Sequence, residues 1–181
     1  MPKFGSRSRK ALATCDEKLQ KVFNEVIKHI DCSVLEGHRD EFRQDKFFKE
    51  GKSKVKYPNG RHNTHPSVAV DVTPYPVDWA DRERQTLFAG FVMGVARSMG
   101  IGLRWGGDWD GDWEVQDNKF DDFPHFELAD KAYINKIKQK QFTVVPEDDD
   151  PIFKVKEPKV DEPKKEPVKK TKKVKKVKKD E

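Results

Sequence analysis

Apolar residues recur along this chain with two different spacings, one typical of helices and the other typical of strands. Spacings of three and four residues predict four helices, at residues 8 to about 30, 40–50, about 79 or 81 to 99, and 129–139. Short alternating or apolar runs predict four strands, at residues 32–36, 67–72, 101–105 and 125–128. This mixed order predicts an α+β fold, a small antiparallel sheet flanked by helices.

The strand alternation places polar side chains on one face of the predicted sheet. In the segment S-V-A-V-D-V (67–72), the valines face one way and Asp71 faces the other. In the segment H-F-E-L (125–128), His125 and Glu127 share one face and the apolar residues share the other. If the apolar faces meet the core, then Asp71 and His125 both turn away from it, toward an open cleft.

Charge and composition divide the chain at about residue 146. Residues 1–146 contain 24 basic and 22 acidic residues and most of the large apolar side chains. Residues 147–181 contain mainly Lys, Glu, Asp, Val and Pro, and residues 164–179 carry ten Lys against one Glu. A segment of this composition cannot bury enough apolar surface to offset its ordering entropy. We therefore predict one folded domain over residues 1–146 and a disordered basic tail over residues 147–181.

The basic tail has two interpretations. It is either a solubilising extension or an arm that is attracted to anionic polymers such as lipopolysaccharide, teichoic acid or nucleic acid. Its Lys-rich part contains no aromatic residue, so stacking on nucleic-acid bases is not indicated.

Several classes of protein are excluded by simple patterns. The sequence has no apolar run of about 18 residues, so we expect no transmembrane span. The first fifteen residues contain no long apolar stretch, so we also expect no cleavable signal peptide. The two cysteines, Cys15 and Cys32, form no metal-binding pair, and we expect both to be buried, reduced thiols. We expect the protein to be a monomer.

Two imidazoles and two carboxylates in the middle of the chain indicate hydrolytic chemistry. His62, Asp71 and His125 would suffice as the protein ligands of a catalytic zinc ion, which leaves its fourth position to water. Asp122 lies three residues before His125 and could act as the base. Each of these residues has an ordinary alternative, since a lone histidine is usually solvated and an aspartate after V-A-V can simply begin a turn.

The segment G-G-D-W-D-G-D-W (106–113) allows a calcium loop or a wall of a substrate cleft. Asp108, Asp110 and Asp112 alternate as calcium ligands do, but Gly111 falls at the fourth loop position rather than the sixth. The tryptophans of this region could stack on a substrate or could simply pack against the protein.

Three blocks of the sequence resemble a known family in the right order. The first block is E-G-H-R-D (36–40). The second is the continuous stretch G-K-S-K-V-K-Y-P-N-G-R-H-N-T-H-P-S-V-A-V-D-V-T-P-Y-P-V-D-W (51–79). The third consists of G-G-D-W (106–109) followed by D-F-P-H-F-E-L (122–128). Together they are similar to the VanY-like zinc peptidases that cut bacterial cell-wall peptides. This family includes D-alanyl-D-alanine carboxypeptidases, L-alanyl-D-glutamate endopeptidases and phage endolysins. The resemblance covers about residues 10–130.

The resemblance implies roles for five residues. It makes His62, Asp71 and His125 the ligands of a zinc cofactor and Asp122 the acid/base carboxylate. It also maps the arginine of the upstream block to Arg39, which would steady the active site or bind a carbonyl or carboxylate of the substrate.

One spacing leaves an alternative ligand open. Many relatives place the histidine six residues before the aspartate, and in this chain His65 has that spacing from Asp71. The surrounding R-H-N-x-x-P-S pattern favours His62, nine residues before Asp71. His65 is the second candidate.

The expected function is that of a zinc peptidase that hydrolyses peptidoglycan stem peptides, as a phage lysis enzyme. Such an enzyme would be made in the host cytoplasm and reach the periplasm or cell wall through a separate pore. The sequence does not separate endopeptidase from carboxypeptidase specificity. The alternative is a non-catalytic module that binds cell wall or polyanions.

Deletion of residues 147–181 should leave the domain folded, because the deleted segment lacks apolar periodicity. Truncation should lower activity on whole cell walls at low salt and leave cleavage of a small soluble stem peptide unchanged. The attraction should weaken with salt, since the Debye length falls from about 10 Å at 0.1 M to about 3 Å at 1 M. An equal loss on the small peptide would contradict this interpretation of the tail.

Overall fold

The structure, a computed structural model, describes residues 1–141. Its helices are α1 (Ser6–Leu12), α2 (Glu17–Val26), α3 (Glu41–Lys49), α4 (Arg82–Ser98) and α5 (Lys131–Gln141). Its strands are β1 (Cys32–Glu36), β2 (Ala69–Pro74), β3 (Leu103–Trp105) and β4 (His125–Leu128). A single 3₁₀ turn, Arg61–Asn63, lies in the long loop before β2. The prediction of an α+β fold with a small antiparallel sheet is confirmed.

The sheet has the strand order β1-β2-β4-β3, and every neighbouring pair is antiparallel. The two central strands are β2 and β4, in which Asp71 stands directly opposite His125. An irregularity in β1 between Val34 and Glu36 brings Glu36 opposite Asp71 as well. A bulge of this kind redirects side chains at one point of a ladder. The register therefore gathers two carboxylates and one imidazole at the middle of the sheet.

The first predicted helix, from residue 8 to about 30, is wrong as one element, because the chain turns between α1 and α2. Asp16 accepts the backbone N–H of Lys18 through its carboxylate and so caps the start of α2. The turn also pairs with the chain before β2, since the Asp16 N–H donates to the carbonyl of Ser67 and the Ser67 N–H donates to the carbonyl of Thr14. The apolar spacing of this region continues across the turn and conceals it.

One face of the sheet packs on α2 and α4 to form the core. Phe126 of β4 is fully buried, and its ring contacts Phe23 of α2 at 5.5 Å and Phe88 of α4 at 6.3 Å between centroids. Val70 and Val72 of β2 are also fully buried. Because successive strand residues point to opposite faces, this core directs the polar residues between them to the other face.

The remaining sequence expectations concern the cysteines, membrane spans and the domain boundary. Both cysteines are buried and unpaired, as expected. None of the helices among residues 1–141 is long and apolar enough to cross a membrane. The predicted domain boundary at residue 146 and the predicted tail, residues 147–181, lie outside the described residues and stay predictions.

Replacement of Phe88 by alanine should lower the free energy of unfolding by about 3–5 kcal/mol, because it removes a buried ring from the contact between α4 and the sheet. Its neighbour Leu87 on the same helix is 76% exposed, so Leu87→Ala should change that free energy by less than about 0.5 kcal/mol. Urea denaturation of the two variants provides the measurement. Equal effects would contradict the described packing of α4.

Candidate metal centre and active site

Three side chains converge on one point at the polar face of the sheet. His62 comes from the 3₁₀ turn, Asp71 from the middle of β2 and His125 from the start of β4. The Nε2 atom of His62 lies 3.1 Å from Oδ1 of Asp71 and 3.2 Å from Nδ1 of His125. The remaining side of the triangle, from Nδ1 of His125 to Oδ1 of Asp71, is 3.2 Å. Both imidazoles are buried and Asp71 is half-buried.

The outer nitrogen of each imidazole faces an oxygen that accepts hydrogen bonds. Nδ1 of His62 lies 2.7 Å from the carbonyl oxygen of Gly37, and Nε2 of His125 lies 3.2 Å from Oε2 of Glu127. Each outer nitrogen therefore donates its proton outward. In a neutral imidazole the other nitrogen then carries a lone pair, so both inner nitrogens and the Asp71 oxygen direct lone pairs at the same point.

The dimensions of this triangle fit a tetrahedral metal ion. Three ligands of a tetrahedral zinc ion, with bonds of about 2.0 Å, lie about 3.3 Å from one another. The observed separations of 3.1–3.2 Å are close to that value. Two imidazoles and one carboxylate are also a donor set that zinc accepts. The residues present therefore fit a zinc ion with one further position open.

The electrostatics of the cluster also favour a cation. Burial alone would raise the pKa of the Asp71 carboxyl, but the two imidazoles outweigh burial and hold that pKa well below its usual range. Burial works against the charged form of His125 too, yet hydrogen bonds to Asp71 and Glu127 raise the pKa of its imidazole to about 9. Without a metal ion, this pKa keeps a proton on His125 at neutral pH, at the point where a bound cation would replace it.

His62 is held in place by contacts with the segment that follows β1. The N–H of Arg39 donates to the carbonyl of His62 at 2.9 Å, and the side-chain amide of Asn63 donates to the carbonyl of Arg39 at 2.9 Å. The Gly60 N–H donates back to the Asn63 side chain at 2.8 Å. A Cβ atom at Gly60 would approach the Asn63 oxygen to 2.6 Å, so a larger residue would disturb this turn.

His65, the second candidate ligand, lies elsewhere. It is exposed, and its ring stands 4.9 Å from that of His38 between centroids. Within residues 1–141, the group of donor atoms close enough to hold one ion at this place contains His62, Asp71 and His125. The longer spacing of nine residues is accommodated because the chain between His62 and β2 makes the 3₁₀ turn and a loop.

Arg39 and Asp122 border the three converging side chains. The guanidinium of Arg39 lies 2.9 Å from Glu36 Oε2 and 3.6 Å from Asp71 Oδ2, so it pairs with the Asp71 oxygen that does not face the imidazoles. Asp122 interacts electrostatically with Asp71, both imidazoles and Arg39. Burial, and next the negative charge of Asp71, raise the pKa of the Asp122 carboxyl and make it a stronger base than an ordinary aspartate.

The neighbouring carboxylate, Asp121, serves a different purpose. Its Oδ2 atom lies 2.8 Å from the guanidinium of Arg82 in an ion pair. The two adjacent aspartates therefore differ in environment. Asp121 forms an ion pair with Arg82, whereas Asp122 interacts electrostatically with Asp71, Arg39 and the two imidazoles.

The tryptophan- and aspartate-rich loop, residues 106–113, lines one side of the site. The ring of Trp109 lies 5.5 Å from that of His125 between centroids, whereas Trp105 is buried against Phe123 and Trp113 is 66% exposed. The carboxylate of Asp108 accepts the backbone N–H groups of the turn that follows, at residues 111–113. Its visible role is therefore to shape the loop, although ligand atoms of all three alternating aspartates lie within 4.8 Å of one another.

Two contributors to the site were not predicted from the sequence. The carbonyl of Gly37 accepts from His62, and a backbone carbonyl carries no signal in the sequence. Glu127 accepts from His125, and here a signal existed, because the alternation of β4 places both residues on one face. Its role depends on the cross-strand neighbours, which the sequence does not specify.

Three comparisons relate this chain to known proteins. The sequence model of the phage L-alanyl-D-glutamate peptidase family matches residues 1–129. The L-alanyl-D-glutamate peptidase of Escherichia phage T5 is 31% identical over 121 residues, which are 64% of this chain and 87% of that protein. The crystal structure of the Serratia marcescens L-Ala D-Glu endopeptidase ChiX has a TM-score of 0.59 and 28% identity, covering 72% of this chain and 93% of ChiX.

Proposed function

Because the chain belongs to the phage L-alanyl-D-glutamate peptidase family, we propose that it is a zinc peptidase that hydrolyses the stem peptides of bacterial peptidoglycan. The names of the relatives favour the bond between L-alanine and D-glutamate as the one that is cut. We further propose that it serves as a phage lysis enzyme, made in the host cytoplasm and active on the wall.

The observation that carries this proposal is the convergence of three lone pairs in a mostly buried site. A single proton cannot bind all three atoms strongly, because one atom carries it and shares it with the other two, which lie 3.1–3.2 Å away. A divalent ion can, and the two imidazoles with one carboxylate favour zinc. When bound there, zinc would supply Lewis-acid chemistry that polarises a carbonyl and makes water acidic near neutral pH.

Three further residues have separate roles in the proposed reaction. Asp122 takes a proton from the attacking water and delivers it to the leaving amine, a role that its raised pKa supports. Arg39 steadies Asp71, as its ion-pair contacts indicate. Trp109 covers one side of the His125 ring. The two central strands keep Asp71 and His125 fixed relative to one another, which catalysis requires.

Mass spectrometry of muropeptides after digestion of purified peptidoglycan tests the proposed activity. New amino termini at D-glutamate, with free L-alanine at the carboxyl end of the shortened stem, are the expected products. Release of terminal D-alanine would instead identify a carboxypeptidase. Unchanged muropeptides with zinc-loaded protein would support the alternative of a non-catalytic binding module.

The purified protein should contain one zinc ion per chain, and His62→Ala should lose it, because the cluster would keep only two ligands. His65→Ala is the matched control and should retain the ion, since His65 lies against His38. Elemental analysis after dialysis provides the measurement. Retention of zinc by His62→Ala together with its loss from His65→Ala would show that the ligand assignment is wrong.

The substitution Asp122→Asn should keep the fold and the zinc ion but lower turnover by about 10²–10⁴, because an amide cannot accept the proton. Asp121→Asn, the adjacent substitution, should retain turnover within a few-fold, since Asp121 pairs with Arg82 outside the site. Steady-state cleavage of a synthetic stem peptide compares the two. Similar turnover of both variants would exclude Asp122 as the base.

A further inference from the structure

A buried carboxylate lies directly behind His125, on the side away from the three converging atoms. Glu127 is 6% exposed. Its Oε2 atom lies 3.2 Å from Nε2 of His125 and 3.4 Å from Nε of Arg61. Its other oxygen, Oε1, lies 3.4 Å from Nη1 of Arg104. Both oxygens of this carboxylate are thus engaged by positively charged or proton-donating groups.

The two arginines beside Glu127 are themselves fixed. Arg61 donates from Nη2 to the carbonyl of Leu128 at 2.6 Å. Arg104 donates from Nε to the carbonyl of Trp109 at 2.7 Å, and its guanidinium lies over the rings of Trp109 and Tyr133, at 5.0 and 5.3 Å from their centroids. Arg104 also stands directly opposite Glu127 in the β3–β4 ladder. The carboxylate therefore has little freedom to turn away from His125.

This arrangement requires a carboxylate rather than an amide. Oε2 must accept from the His125 ring while Oε1 faces a guanidinium, so both terminal atoms must be acceptors. A glutamine would place its NH₂ group against either the imidazole N–H or an arginine. The choice of residue is thus set by the imidazole and the two guanidinium groups that surround it.

We propose that Glu127, held between Arg61 and Arg104, is the positioning residue that fixes the ring of His125 and keeps its Nδ1 lone pair directed at the metal. This inference rests on the proposed function, since it assigns a role at the same zinc site. The two imidazoles are positioned differently: His62 donates to a neutral backbone carbonyl, whereas His125 donates to an anion. A carboxylate behind a ligating imidazole fixes its tautomer and makes the imidazole a stronger ligand.

Zinc affinity and the ring protons of the two histidines test this role in the full chain. Glu127→Gln should raise the zinc dissociation constant by about 10–100-fold in competition with a chelator, the usual cost of losing such a partner. In NMR spectra of the zinc-loaded wild type, His125 should carry its ring proton on Nε2 and His62 on Nδ1. In Glu127→Gln the His125 proton should shift upfield or exchange rapidly, while the His62 proton, which bonds Gly37, stays in place.

A second variant covers the case in which Glu127→Gln fails to fold. Glu127→Asp keeps the negative charge for both arginines, which are partly exposed and can rehydrate, but it withdraws the carboxylate from His125. It should fold, bind zinc more weakly than the wild type and show the same selective shift of the His125 proton. Wild-type zinc affinity and an unmoved His125 proton in the variants would overturn this inference alone. A wild type without zinc would overturn it together with the proposed function.

Discussion

Nε2 of His62, Oδ1 of Asp71 and Nδ1 of His125 lie within 3.2 Å of one another at the polar face of a small sheet. The surrounding structure holds these three atoms in place. Mutual repulsion among such atoms is costly in a buried place unless a proton or a metal ion lies between them. The cost is overcome because each side chain is anchored independently. The β2–β4 ladder sets Asp71 against His125, and hydrogen bonds to the segment after β1 hold the turn that carries His62.

The hydrogen-bond and ion-pair partners of these three side chains explain why their inner atoms point at one another. Gly37 and Glu127 take the outer ring protons, and Arg39 holds the second oxygen of Asp71. All of these contacts engage the outer atoms of the three side chains, so the inner atoms are left facing one another. Asp122 borders that point with a raised pKa. The three candidate ligand atoms and a basic carboxylate are therefore in position without a bound ligand.

Local periodicity was sufficient to predict the parts of the fold that depend on neighbours in sequence. The alternation in β2 and β4 placed Asp71 and His125 on the face away from the core, because a strand side chain has only two directions. The same periodicity failed at the turn between α1 and α2, where Asp16 caps a new helix although the apolar spacing continues. The pairing of Asp71 with His125 joins residues 54 positions apart, and no local pattern encodes such a register. Resemblance to a family supplied the ligand set, and the role of Glu127 emerged only when Arg61 and Arg104 were seen beside it.

Zinc K-edge X-ray absorption on the stoichiometrically loaded protein tests the central claim most directly, because it reports the atoms around the ion. We expect a shell of about four nitrogen and oxygen neighbours at roughly 2.0–2.2 Å, with the multiple scattering of two imidazole rings. A six-coordinate shell without imidazole scattering, or a shell with sulfur, would contradict it.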